Sequence, residues 1–338
     1  ARNKPEQFER PIRLLCVALS MRTRLDILLV TGLATASMAL HVPAVRAERP
    51  VEEIIVTSAR VPTPLSDHAG NIDVLGADEI GEAAHVHIHE LLTRVPGVWI
   101  TRASGQESLP SIRSPVLTGP GSCGAFLTLE DGIPSRPSGF CNVNQLFELP
   151  TELADRIEVV RGPGNALYGS NAVHGTINVL SPRPGPDGAN SAALELGSND
   201  FMRLQGALRT GGDAPAVLGG VLADDGGFRE DSGYRQIKGL FGKALPVSEG
   251  ELRVSLSVSD LDQETAGFII GEDAYRDEAL SRENPNPEAF REANSQRLAF
   301  TRVRPYAGYT LDVRPYLRRS EMTFLQHFLP GQPLEENG

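Results

Sequence analysis

The stretch Arg156-Ile157-Glu158-Val159-Val160-Arg161-Gly162-Pro163-Gly164-Asn165-Ala166-Leu167-Tyr168-Gly169-Ser170-Asn171-Ala172-Val173-His174-Gly175-Thr176-Ile177-Asn178-Val179 decides how this 338-residue chain is read. Two β-branched runs flank a segment whose glycines, Gly162, Gly164, Gly169 and Gly175, permit tight turns that a Cβ would obstruct. Arg156, Glu158 and Arg161 read as alternating on one face of the first run. They are expected to dock their domain against a charged wall; the alternative is a solvated face with no partner.

Upstream of this stretch, Ile88-His89-Glu90-Leu91-Leu92-Thr93-Arg94-Val95 reads as a helix stopped by Pro96-Gly97. Short strands are expected at 98–100, 125–129, 157–160 and 176–180, which makes residues 62–182 a compact α+β unit. Trp99, the only tryptophan, is assigned to its core. Ser181-Pro182-Arg183-Pro184-Gly185-Pro186 cannot continue a central strand and marks a boundary.

Beyond residue 191 the texture changes to two-residue alternation. Leu252, Val254, Leu256 and Val258 interleave with Arg253, Ser255, Ser257 and Ser259, and Met202, Leu204 and Leu208 oppose Arg203, Gln205 and Arg209. Weaker alternation covers 216–223, 235–245, 296–304 and 308–319, with polar or Gly- and Pro-rich stretches between. The pattern fits membrane β-strands, although a soluble sandwich also alternates.

The N-terminal region has the layout of a secretory signal. Arg22 and Arg24 precede an apolar run that ends at Val45-Arg46-Ala47, with cleavage expected after Ala47 and a start at Met21. A spanning helix would need about 20 apolar residues, and Asp26 interrupts this one. Export leaves Cys123 and Cys141 in the mature chain, which suggests one disulfide; two free buried thiols are the alternative. Glu53-Ile54-Ile55-Val56-Thr57-Ser58 is strand-like, has no hairpin partner in the sequence, and suits addition to another protein's sheet edge; an ordinary edge strand is the alternative.

A net charge of -11 and the lack of a basic stripe argue against a nucleic-acid partner. Gly162–Leu167 fails the dinucleotide fingerprint, since Leu167 stands where the last glycine belongs, and no P-loop, nucleophile elbow or His-Glu-x-x-His occurs. No enzymatic activity and no cofactor are expected. His85, His87 and His89 are a weak metal candidate: on a strand they share a face, whereas at a helix start only His85 and His89 align.

The stretch 156–179 resembles the plug-domain signature of TonB-dependent outer-membrane receptors. Leu91-Leu92 to Val98, Ile112-Arg113 and Leu129-Glu130-Asp131-Gly132-Ile133-Pro134 follow the family's order, and Glu53, Ile54, Ile55, Val56, Thr57 and Ser58 resemble a TonB box. Ser114, Asn165 and His174 depart from residues common in the family. The resemblance implies a signal peptide (1–47), a TonB-box segment (48–61), an α+β plug (62–182) and antiparallel strands of a barrel (183–338). Such barrels have about 22 strands, so the barrel in this chain is incomplete. Arg156, Glu158, Arg161, Gly162, Pro163, Tyr168, Gly169, Gly175 and Asn178 are the implied signature residues. The implied partners are TonB of the inner-membrane energy-transducing complex, the outer membrane, and a small ligand such as a ferric siderophore. Cobalamin, haem, another metal chelate or a saccharide are alternatives, as is a truncated fragment without function.

Overall fold

A computed structural model describes residues 55–56, 63–67, 70–102, 104–115, 126–136, 145–164, 168–169, 171–185, 188–248 and 250–325. The expected signal peptide, Cys123, Cys141, Glu53, Ile54, Thr57 and Ser58 lie outside the described residues.

The α+β unit opens with β1 (Ile55–Val56) and β2 (Thr63–Pro64), which pair antiparallel. The segment at 55–56 therefore does have a hairpin partner, contrary to the sequence reading. That partner is only two residues long and includes a proline, which is why it is invisible as a strand in the sequence. Then come β3 (Asn71–Gly76), α1 (Ala77–Ala83), α2 (Ile88–Leu92), β4 (Val98–Arg102), β5 (Ser108–Ile112), β6 (Phe126–Glu130), β7 (Ile133–Pro134), β8 (Arg156–Arg161) and β9 (Gly175–Leu180). Five of these strands make a mixed sheet in the order β3-β8-β9-β6-β7, while β4 and β5 form a separate hairpin.

Alternation explains the core. Ile157 and Val159 of β8, Ile177 and Val179 of β9, and Leu91 and Leu92 of α2 pack in one buried cluster with Ile100 and Ile112 of the hairpin. Trp99 sits on the opposite face of β4 from Val98 and Ile100 and is 61% exposed, so it is not a core residue. Gly175 is demanded by geometry: a Cβ there would lie 2.3 Å from the carbonyl oxygen of Val160.

The second part is one antiparallel sheet: β10 (Ser191–Leu196), β11 (Met202–Thr210), β12 (Ala216–Asp225), β13 (Tyr234–Val247), β14 (Gly250–Glu264), β15 (Phe290–Tyr306), β16 (Tyr309–Val313) and β17 (Tyr316–Leu325). Both β16 and β17 pair with β15, so they are one stave interrupted at Arg314-Pro315. The sheet does not close among the described residues. Connections at 211–215, 248–249 and 307–308 are short, whereas 226–233 and 265–289 at the other rim are longer, and the latter carries α3 (Glu278–Arg282).

Which face is buried separates the two readings left open by the sequence. The serine face of β14 is the covered one, with Ser255, Ser257 and Ser259 buried, while Leu256 and Val258 point outward. Strand pairing sets Leu208, Leu218, Phe241, Leu256, Leu298 and Leu317 beside one another across six staves. All but Leu298 are exposed. A soluble sandwich buries its apolar face; a sheet that turns its leucines out and its polar residues in is built for lipid. Replacing Leu256 by Arg in the intact gene product is expected to cost about 2–4 kcal/mol of membrane-inserted stability if the belt lies at bilayer depth. Urea titration in vesicles would read this loss, and a change under about 1 kcal/mol would contradict a lipid-facing belt.

Candidate functional site

The inner face of the sheet carries cations, and the α+β unit meets them with carboxylates. Arg291 of β15 pairs with Glu107 at 2.8 Å, Lys238 of β13 with Glu152 at 2.8 Å, and Arg297 of β15 with Glu130 at 2.5 Å and Asp131 at 3.4 Å. Arg318 of β17 pairs with Glu148, which also accepts from Ser320 Oγ at 3.1 Å. Arg203 of β11 forks between Glu195 and the carbonyl oxygens of Ala84 and His85. Arg314, beyond β16, donates to the Asp131 carbonyl at 2.6 Å.

Apolar contacts fill the spaces between these pairs. Phe147 packs with Ala223, Tyr234, Leu261 and Ala293, and Leu153 with Val217, Val221 and Leu240. Both side chains come from short 3-10 turns, Gln145–Glu148 and Thr151–Leu153, which also present Glu148 and Glu152.

Burial and charge act in opposition here. Burial raises the Glu130 carboxyl above the ordinary range despite Arg297. Burial also disfavours charge on Asp131 and Glu152, but Arg253 and Arg297 beside the first, and Lys238 beside the second, outweigh it and hold both below the ordinary value.

The signature residues serve mainly the interior of the α+β unit. Arg161 bridges Asp73 at 2.5 Å and donates to the Pro96 carbonyl at 2.7 Å, while Arg156 pairs with Asp155 at 3.2 Å and Glu158 at 3.0 Å. By the two-residue period, Arg161 lies on the opposite face of β8 from Arg156 and Glu158, which corrects the single charged face read from the sequence. The ion pairs of Arg156 and Arg161 stay within their own unit. Docking to the wall instead runs through Glu107, Glu130, Asp131, Glu148 and Glu152.

Asn178 Oδ1 accepts from the Gly132 amide at 2.9 Å, and Asp131 accepts from the amide and hydroxyl of Ser181 at 2.9 Å. The β6–β7 turn is thereby fastened to β9. Tyr168 packs with Leu127, Leu129 and Ala172. Gly162 and Gly169 adopt left-handed φ of 110° and 72°, and Pro163 is exposed beside the first. At the departure Ser114, the hydroxyl accepts from the Ile112 amide at 3.3 Å.

The histidines are structural elements in this arrangement. His87 caps α2: its Nδ1 accepts from the His89 amide at 3.1 Å, and its Nε2 donates to the Glu107 carbonyl at 2.9 Å. Both ring nitrogens are thus engaged. His85 Nε2 bonds Thr151 Oγ1 at 3.0 Å, and His89 is the second residue of α2. Among the described residues no group of three or more His, Cys, Asp or Glu is disposed to hold a metal ion.

Burial lowers His85 to about 4 and His87 to about 3. Unfolded histidines titrate near 6.5, so the unfolded unit binds more protons below that value and stability falls as pH drops toward 4. Each histidine contributes a slope of up to about 1.4 kcal/mol per pH unit. Protease protection of the α+β unit in the intact gene product should decline between pH 6.5 and 4.5, and His85→Gln should flatten that decline. Equal slopes in the two proteins would contradict the assignment.

Removing a carboxylate has a larger effect. Glu130→Ala leaves Arg297 buried without its closest partner and should cost about 3–5 kcal/mol of docking. Replacing both Glu130 and Arg297 by Met should restore most of it, as read by urea-induced loss of protease protection; a single substitution without effect would show the pair to be incidental.

Residues 64–176 match the family model described as TonB-dependent Receptor Plug Domain. Over 215 residues, 63% of this chain, the sequence is 28% identical to the vitamin B12 transporter BtuB of Vibrio vulnificus (strain CMCP6). That match covers 33% of BtuB, so the chain spans about a third of the length of this curated relative. The fold is similar to that of the pyoverdine outer-membrane receptor FpvA of Pseudomonas aeruginosa PAO1, with a TM-score of 0.63 and 17% identity over 79% of this chain and 40% of that one. It is also similar to the alcaligin outer-membrane receptor FauA of Bordetella pertussis, with a TM-score of 0.61 and 14% identity over 80% of this chain and 42% of that one.

Proposed function

The chain is the plug domain and part of the barrel of a TonB-dependent outer-membrane receptor, and from that premise we propose that the whole protein imports a scarce ligand by energy-coupled transport. The observation that carries this reading is the charged, plug-filled inner face of a sheet whose outer face is apolar. A passive pore would have no use for a plug anchored by buried ion pairs, and a soluble binding module would not turn its leucines to solvent.

The mechanism is mechanical rather than chemical. Ligand binding at the outer rim releases the segment containing Glu53, Ile54, Ile55, Val56, Thr57 and Ser58, which pairs with TonB as an added strand. The two-residue ladder between β1 and β2 is a weak hold, suited to such a release. A pull on this segment then shifts the plug and opens a path.

We take a ferric siderophore as the cargo, the commonest class in the family. Cobalamin is the second reading, favoured by the sequence match to a vitamin B12 transporter. The test is Ile55→Pro in the intact gene, which removes a donor from the strand that would join TonB. Growth on ferric siderophore as sole iron source should be lost while ligand binding to cells and receptor abundance stay unchanged. Uptake that survives both this substitution and dissipation of the proton-motive force would overturn the reading.

A further inference from the structure

The β4–β5 hairpin of the plug reaches the rim that carries the longer connections. Ser104 Oγ donates to the Ala266 carbonyl at 3.0 Å, the Gln106 amide to Gln263 Oε1 at 2.7 Å, and Gln263 Nε2 to the Ser104 carbonyl at 3.2 Å. Between this tip and the connections 226–233 and 265–289 lies an open niche of about 290 Å³. Arg102, Arg229, Phe228, Phe268, Tyr234 and Asp225 are among its lining residues.

The outer wall of the niche is preformed. Arg229 donates through Nε and Nη2 to the Glu283 carbonyl at 2.9 and 2.8 Å, Asn284 Nδ2 donates to the Asp231 carbonyl at 2.8 Å, and the Glu230 amide donates to the Arg282 carbonyl at 2.9 Å. The Arg282 guanidinium lies 4.8 Å from the centroid of the Phe228 ring. The two connections are therefore tied together, and Phe228 is held in place beside the opening.

The charge of the niche is only partly satisfied. Arg229 is bonded to a neutral carbonyl. Arg102 reaches Glu90 at 3.5 Å, with 43% and 37% of the two side chains exposed, a pairing that an incoming anion can displace. The carboxylate at the niche, Asp225, accepts from the Gly227 amide at 2.8 Å. The six acidic residues of the long connection, Glu272, Asp273, Asp277, Glu278, Glu283 and Glu288, are not among the lining residues.

Two exposed phenyl rings beside two guanidiniums suit a flat ring that bears a negative charge. We propose that this niche recognises an anionic aromatic group of the imported ligand, a phenolate or benzoate ring, with Phe228 and Phe268 contacting the ring and Arg102 and Arg229 its charge. The proposal rests on the import reading for the ligand's presence at this rim, and on nothing else from it.

The test uses salicylate as probe, with the intact receptor in detergent micelles and saturation-transfer NMR as the readout. Cyclohexanecarboxylate keeps the charge and loses the ring; salicylamide keeps the ring and loses the carboxylate. Salicylate should bind at least about tenfold tighter than either, and Arg102→Gln and Phe268→Ala should each weaken it about tenfold. Should Phe268→Ala lower the amount of folded receptor, Phe268→Leu keeps the bulk and reads the same ring contact. Equal binding of salicylate and cyclohexanecarboxylate, or indifference to both substitutions, overturns the niche. The two readings fail separately: salicylate binding that obeys these substitutions in a receptor whose uptake ignores Ile55→Pro leaves the niche standing and import refuted. Uptake abolished by Ile55→Pro with salicylate binding untouched by Arg102→Gln does the reverse.

Discussion

The contact on which the rest of the structure depends is the meeting of plug carboxylates with wall cations. Glu107, Glu130, Asp131, Glu148 and Glu152 face Arg291, Arg297, Arg318 and Lys238 across a seam in which none of these side chains is more than 11% exposed. A lumen lined by serines and arginines cannot be filled by an ordinary apolar core, because every buried cation would be left unpaired. The plug solves this by placing acid opposite base. Its own apolar core lies inward, between its sheet, helices and hairpin, and among the described residues Phe147 and Leu153 extend apolar packing to the wall.

Buried ion pairs contribute little net stability, since desolvation offsets most of their attraction, but breaking one is costly. The seam is therefore better understood as fixing where the plug sits than as holding it with great strength. That suits the proposed mechanism, in which the plug stays put while idle and shifts when pulled. The N-terminal β1–β2 ladder, with no more than two residues per strand, is at the opposite extreme and gives a pull an easy place to begin.

Much of this was legible in the sequence. The strands at 156–161 and 175–180, the helix that starts at Ile88, and the alternating staves all follow from β-branching, punctuation and period, although that helix ends at Leu92 rather than running to Pro96-Gly97. The helix α1 was missed because Gly81 interrupts its seven residues and its buried side reduces to Ile80. Trp99 was misassigned because a five-residue strand does not announce which parity faces the core. The docking carboxylates were missed for a different reason: Glu107, Glu148 and Glu152 sit on turns, where acids are ordinary, and only the fold brings each to a cation. One signal was available, namely Arg and Lys on the serine side of the barrel strands, which in a lumen require acidic partners.

One face of the sheet meets lipid and the other meets the plug. Nitroxide labels at Leu256 and Ser257 in the intact protein, with native cysteines replaced, test it most directly through collision rates with oxygen and with a water-soluble nickel chelate. The label at Leu256 is expected to collide with oxygen and be shielded from nickel, while the label at Ser257 is immobilised and shielded from both. A label at Leu256 freely quenched by the nickel chelate, with Ser257 behaving alike, would contradict a lipid-facing belt and a plug-filled lumen together.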